Sequence, residues 1–288
     1  MVNLLNYRGI NSQITYRFAS GQDGDGAFVI DDSAGIIRVA KNLDRESVAE
    51  YHLVAFAVDG GEDPNQTPVD ILVQLQDQND NAPVFPSSEI HAEIEENQSD
   101  GEYVITIQAV DPDEGLNAHI IYNLQDGDTN SFAIDSRSGV ITTSIPLDYE
   151  EKSEYRVKVR ATSSPFFKDA TVVIHILDVN DNWPILENFD VIFNNYQGHF
   201  EDGVIGRVPA YDPDINDVLE YSILNGNQNS HLLVNSSTGQ IVINPTLTIS
   251  DLNQRISFVV EVSGKWRRAL QGSETQEKLL ESDSILQF

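Results

Sequence analysis

The stretch DVNDNWPIL, from Asp178 to Leu186, decides the fold because the chain carries it twice: DQNDNAPVF runs from Asp77 to Phe85. Two further triplets, DPD at Asp111 and DPD at Asp212, keep the same offset, so Asp77 and Asp178 are 101 residues apart, as are Asp111 and Asp212. That period is the length of one domain, and a repeat settles architecture before any local reading does. Each DxNDN run follows an apolar run and precedes Pro83 or Pro184. A proline drives its predecessor into extended conformation, so each run reads as a short stretched linker.

Working outward, a third landmark recurs as FVIDDSAGII from Phe28, FAIDSRSGVI from Phe132 and LLVNSSTGQI from Leu232. An apolar pair, a polar turn, a glycine and a new apolar run predict a hairpin. Gly35, Gly139 and Gly239 stand where positive φ is expected, a matter of turn chemistry. Elsewhere the period is two: Tyr155, Val157, Val159 and Ala161 alternate with Arg156, Lys158 and Arg160, and Val69, Ile71, Val73 and Leu75 alternate likewise. ATVVIHIL from Ala170 is nearly all apolar and rich in β-branched residues, which suits a strand. Short strands between turn signals predict an all-β chain of tandem Greek-key sandwiches, Ig-like, with seven strands per full repeat. The units expected are 1–82, truncated at its start, since Tyr7 to Phe18 already resembles His119 to Leu124; 83–184, complete; and 185–264, incomplete at its end. Residues 265–288, polar and without alternation, are expected to be a disordered tail. The chain looks cut at both ends.

Of 288 residues, 17 are Lys or Arg and 46 Asp or Glu, a formal charge of −29 that repels a phosphate backbone and argues against nucleic acid. There is no cysteine, which removes disulfides, thiolate chemistry and thiolate metal sites. No apolar run is long enough to span a membrane, and the first residues lack the pattern of a signal peptide. The histidines form no HExxH, and neither GxSxG nor a phosphate-binding GxxxxGK[ST] occurs. His175 is expected to be a packed or edge residue.

The acidic residues recur in order: LDRE with Asp44 and Glu46, LDYE with Asp148 and Glu150, the DxNDN runs, the DPD triplets, and IEEN with Glu96. One aspartate in a turn is turn chemistry, but three acidic motifs repeated at domain spacing point to a hard cation held by oxygen ligands. In extended DVNDN, Asp178, Asn180 and Asn182 point to one side and Asp181 to the other. An EF-hand does not fit, because Leu116 and Tyr122 fall where that loop needs glycine and glutamate. Paired carboxylates could serve a glycosidase, but these repeat beside linkers, so no enzyme is expected.

Taken together, LDRE or LDYE, DxNDN-x-P, xEN and AxDPD-x-G-x-N resemble the extracellular repeats of cadherins from about Gly9 to Ser263. The resemblance implies calcium, Ca2+, at each junction, held by both neighbours. For the second junction it implies Glu96, Asp148, Glu150 and Asp181 at the outermost ion. The middle ion takes Glu96, Glu150, Asp178, Asp181, Asp214 and the Val179 carbonyl, and the third Asn180, Asp212, Asp214 and the Asn182 carbonyl. For the first junction it implies Asp44, Glu46, Asp77, the Gln78 carbonyl, Asn79, Asp80, the Asn81 carbonyl, Asp111, Asp113 and the Asn117 carbonyl.

Departures from the pattern carry expectations of their own. The family places an aspartate after xVxAxD; Asp59 fits, but the second repeat has Ser163, so the third ion of the first junction should bind more weakly. The third repeat has Asn194 and Asn195 in place of Glu96 and Asn97, lacks LDxE after Pro245, and has Ile215, Asn216 and Asp217 instead of GxN. It resembles a late repeat of the seven-pass cadherins of the Flamingo or Celsr type, tied to planar cell polarity. The resemblance implies a cell-adhesion ectodomain on the extracellular side of the plasma membrane, with other cadherin ectodomains as partners, homophilic contact included. A calcium-stiffened spacer without an adhesive face and a truncated product are the other readings. Asn65, Asn97 and Asn235 head glycosylation triplets, of which Asn97 adjoins the metal site. Trp183 is read as cover for its junction.

Overall fold

The computed structural model describes residues 13–61, 63–190, 203–215, 217–227, 230–244, 256–266 and 283–286. The described residues contain strands and turns and no helix. The first repeat holds β1 (Ile14–Phe18), β2 (Phe28–Ile30), β3 (Ile37–Val39), β4 (Glu50–Asp59) and β5 (Gln66–Gln74). The second has β6 (Glu89–Glu95), β7 (Tyr103–Thr106), β8 (Ile121–Gly127), β9 (Phe132–Ile134), β10 (Val140–Thr143), β11 (Glu154–Ser163) and β12 (Phe166–Leu177). The third contains β13 (Ile185–Leu186), β14 (Val204–Arg207), β15 (Ala210–Tyr211), β16 (Asp217–Asn225), β17 (Leu232–Val234), β18 (Gln240–Ile243), β19 (Ile256–Trp266) and β20 (Asp283–Leu286).

The second repeat is the seven-stranded sandwich that the alternation predicts. One sheet runs β6-β12-β11-β8, with β6 parallel to β12, and the other runs β7-β10-β9. Val157, Val159 and Ala161 on β11 are fully buried while Arg156 and Lys158 face water, and Val172 and Ile174 on β12 close the core against Phe132, Ile141 and Leu147. Antiparallel sheets with one wetted face require this pattern. His175 lies on β12 with its ring stacked on that of His91. In β5 the expected alternation begins only at Ile71, because Val69 is exposed.

The third landmark folds identically in all three repeats. Asp31, Asp135 and Asn235 each accept hydrogen bonds through Oδ1 from the amides two and three residues on. The following glycine has φ +67°, +72° or +65°, and a Cβ there would meet the ring of Tyr16 at 3.1 Å, the Ile107 carbonyl at 2.3 Å, or the Tyr221 ring at 2.8 Å. Backbone sign and lack of space both demand glycine.

Beyond Gly264 the pairing continues. Strand β19 continues through Lys265 to Trp266, and Asp283–Leu286 pairs antiparallel with it, opposite the edge taken by β16. That is the edge of β11 that β12 covers in the complete repeat. An unpaired central strand leaves its donors and acceptors open, and a later segment satisfies them. The rest of 265–288, and Asn194, Asn195, Asn216 and Pro245, lie outside the described residues.

Candidate metal centres at the two junctions

Each linker is pinned to the next sandwich just past its proline. Val84 bridges Val110, and Ile185 pairs with Tyr211, so in both cases the linker lies beside the segment leading into DPD. Hydrogen bonds then recur at the 101-residue offset. Asn81 donates from Nδ2 to Asp113 Oδ1 at 2.7 Å and from its backbone to Oδ2 at 3.4 Å; Asn182 does the same to Asp214 at 2.9 and 3.2 Å. The Asp113 amide donates to Asp111 Oδ1 at 3.0 Å, and that of Asp214 to Asp212 Oδ1 at 3.1 Å. Asp77 Oδ2 accepts from the Glu114 amide at 3.0 Å, and Asp178 Oδ2 from Ile215 at 3.3 Å.

At the second junction these bonds gather carboxylates from both sandwiches. Glu96, 1% exposed at the end of β6, accepts 2.7 Å hydrogen bonds from the amides of Tyr149 in LDYE and Val179 in the linker. Oxygens of Glu96, Asp148 and Glu150 lie within 4.8 Å of one another, as do those of Glu150, Asp178 and Asp214, and those of Asp212, Asp214 and Asp217. Asp181 accepts from Asn97 Nδ2 at 2.6 Å and from Asn182 Nδ2 at 2.8 Å. Asn180 donates to Asp217 Oδ1 at 2.7 Å. Asp178 Oδ1 and Asp212 Oδ2 are buried and meet no donor among the described residues.

Such crowding shows in the proton affinities. Burial, then the charges of Glu96, Asp214 and Asp178, push the Glu150 carboxyl up to about 7. Burial, then Asp217 and Asp214, push Asp212 up to about 6. Glu96, Asp178 and Asp217 are raised as well, burial first and neighbouring carboxylates next. Carboxylates this close share protons unless a cation enters.

The first junction has the same plan with a different charge balance. Oxygens of Glu46, Asp77 and Asp113 lie within 4.8 Å of one another. A cleft of about 220 Å³ lies among Asp44, Glu46, Gln78 and Asp80. Asp44 itself accepts from the Glu46 amide and the Ser47 hydroxyl, so its carboxylate is tied into its own turn. Arg45 lies 2.6 Å from Glu46 Oε1 and 2.6 Å from Asp77 Oδ1, and donates to the Pro112 carbonyl. Burial works to raise Asp77, but hydrogen bonds from Asn117 and Glu114 and the Arg45 charge outweigh it and hold the group below the ordinary carboxylate value. Asp111, 8% exposed, keeps Oδ2 without a donor among the described residues. Asn79 donates from Nδ2 to the carbonyls of Asn117 and Ser164, and its own Oδ1 meets no donor among the described residues. Asp80 accepts from Asn81 Nδ2. Buried Ser163 turns its hydroxyl onto the Asn117 carbonyl, the group implied as a ligand there.

Every predicted ligand therefore lies on a linker or a loop beside it. Two residues that matter were not among them. Arg45 hides inside LDRE, where only the flanking carboxylates signal, and Asp217 opens β16 just after a loop that departs from the repeat. Oxygen-only donors, several anionic and some buried without partners, fit a hard divalent cation.

A cadherin-domain model matches residues 5–76 and 90–177, and a model described as CELSR2-like, ninth cadherin domain, matches 177–269. Human cadherin EGF LAG seven-pass G-type receptor 3 is 48% identical over 236 residues, which is 80% of this chain and 7% of that protein. The protocadherin-like wing polarity protein stan of Drosophila melanogaster is 44% identical over 245 residues, 83% of this chain and 7% of its own length. Thus the chain spans under a tenth of these relatives. Among solved structures, the protocadherin gammaB7 EC3-6 cis-dimer covers 97% of the chain at TM-score 0.76 and 22% identity, and the chain covers 68% of it. Mouse cadherin-23 EC22-24 covers 97% at TM-score 0.66 and 24% identity, with 87% of it covered in return.

Proposed function

The chain belongs to the cadherin family, with repeats of the Celsr and Flamingo type, and from that premise we propose that it is a calcium-stiffened stretch of a receptor ectodomain. It is an adhesion-type chain and no enzyme. What carries the calcium reading is the set of buried carboxylate oxygens without donors, Asp111 Oδ2, Asp178 Oδ1 and Asp212 Oδ2, at places where two sandwiches and their linker meet. Calcium bound there supplies the positive charge and the oxygen-hungry coordination shell that these groups lack.

This chain's own residues do the rest. Glu96 ties β6, the LDYE loop and the linker into one unit through its two backbone hydrogen bonds. Asn81 and Asn182 hold Asp113 and Asp214 in place from the linker side. Since ligands come from both neighbours, occupancy and inter-repeat rigidity are linked, at affinities of about 10⁻⁴ to 10⁻³ M. The parent protein would present these repeats outside the plasma membrane to other cadherin ectodomains, homophilic partners included, in planar cell polarity. Exposed Asn65 and Asn235 would carry glycans, whereas Asn97 faces Asp181.

Small-angle scattering in chelator and in a few millimolar calcium tests this. A longer, stiffer particle in calcium is expected, and superimposable profiles would sink the reading. Bead aggregation dependent on calcium would add an adhesive face; its absence would leave a spacer.

A further inference from the structure

We propose that Asp217 is a ligand of the second junction, one carboxylate standing in for two groups that the third repeat lacks; the inference rests on the calcium reading above. The first missing group is the aspartate that ends xVxAxD. In the first repeat Asp59 pairs with Ile14, two residues before Tyr16 pairs with Ala57. In the third, Gly264 pairs with Leu219, two residues before Tyr221 pairs with Val262. Tyr16 and Tyr221 are equivalent, since each packs on its hairpin glycine. Gly264 therefore occupies the position of Asp59 and has no side chain to offer.

That space is filled from the neighbouring strand. A Cβ built on Gly264 would stand 2.1 Å from Asp217 Oδ2 and 3.0 Å from Asp212 Oδ2. The Asp217 carboxylate thus sits against the backbone where the side chain of residue 264 would begin, and a Cβ there would push it away.

The second missing group is the GxN carbonyl. From Asp111 to Tyr122 the chain takes eleven steps, but from Asp212 to Tyr221 only nine, so the loop is two residues shorter. In the longer loop Asn79 Nδ2 donates to the Asn117 carbonyl at 3.4 Å. The equivalent Asn180 donates instead to Asp217 Oδ1 at 2.7 Å. A side-chain oxygen stands where the longer loop places a main-chain one. Asp217 thereby joins Asp212, whose Oδ2 is buried without a donor among the described residues, and Asp214, which is 3% exposed. Three converging carboxylates with an orphaned oxygen make a cation cradle rather than a hydrogen-bonded turn.

Calcium titration by calorimetry of the full chain, with thermal melts in chelator and in calcium, tests the assignment. Asp217→Asn keeps an acceptor for Asn180 and removes the charge. It should weaken one class of site about tenfold or more, raise the melting temperature in chelator by relieving repulsion, and lower it in calcium. A purely structural role predicts an isotherm equal to that of the parent, which overturns the proposal. The double variant Asp217→Gly with Gly264→Asp moves the carboxylate back to the strand position and should recover most of the lost affinity. Affinity no better than that of Asp217→Gly alone would overturn the stand-in argument. A parent chain that takes up no calcium would instead bring down the junction reading itself.

Discussion

At the first junction Arg45 lies between Glu46 and Asp77, whereas at the second the same place in LDYE belongs to Tyr149, which packs on the core of its own repeat. Part of the hydrogen-bond plan around the two is shared, down to Asn81 on Asp113 and Asn182 on Asp214. At this position the first junction carries a cation of its own and the second a neutral phenol. The proton affinities differ as well: against its burial, Asp77 is held low by hydrogen bonds from Asn117 and the Glu114 amide together with the Arg45 charge, while Asp178, its counterpart, is pushed up by burial and then by Asp214. Spacing that looks identical does not mean equal charge balance.

The largest effect expected from this difference is in chelator. Limited proteolysis should cut the linker at Asp178–Pro184 well before that at Asp77–Pro83, and calcium should protect both; equal cutting, or the reverse order, would break the comparison. Exchanging the two residues sharpens it. Tyr149→Arg should shield the second linker in chelator and lower its calcium affinity about tenfold, because a fixed cation beside the ion costs roughly 1 kcal/mol or more. Arg45→Tyr should do the opposite at the first, read by the same digestion and by calorimetry.

A pH series comes next. In the second junction the folded carboxylates bind protons more tightly than free ones, with Glu150 near 7 and Asp212 near 6. Their contribution to stability is present below the ordinary carboxylate range and lost as pH rises through about 6 to 7. Hydrogen exchange in chelator should show the Val179 amide losing protection between pH 5.5 and 8. Asp77 and Asp44 are lowered instead, so their contribution is present throughout that window and fails only in acid. A parallel decline at both linkers would contradict this. The smallest effect expected is that of Ser163→Asp, which gives the second repeat the aspartate that Asp59 supplies in the first. It should tighten the weakest calcium step of the first junction several-fold, and an unchanged titration would count against it.

Much of this was legible in advance. The offset between Asp77 and Asp178 marks both linkers, and β11 alternates as YRVKVRA predicts because an open sandwich sheet buries one face. The Ser163 departure was visible from the pattern, and its hydroxyl now bonds the Asn117 carbonyl. Val69 escaped because alternation does not say where a sheet runs out of neighbours. Strand β20 escaped because its partner is β19, and pairing across a sheet leaves little local trace in a polar segment.

The amino-acid sequence by itself determined what depends on local pattern: strand periodicity, the hairpin glycines, the linkers, and which carboxylates recur at domain spacing. Tertiary structure decided what depends on meeting across strands. A guanidinium's choice between water and two carboxylates, and the use by Asp217 of a space that Gly264 leaves open, are set by three-dimensional distance. Charge and volume act through that distance, and order along the chain does not encode it.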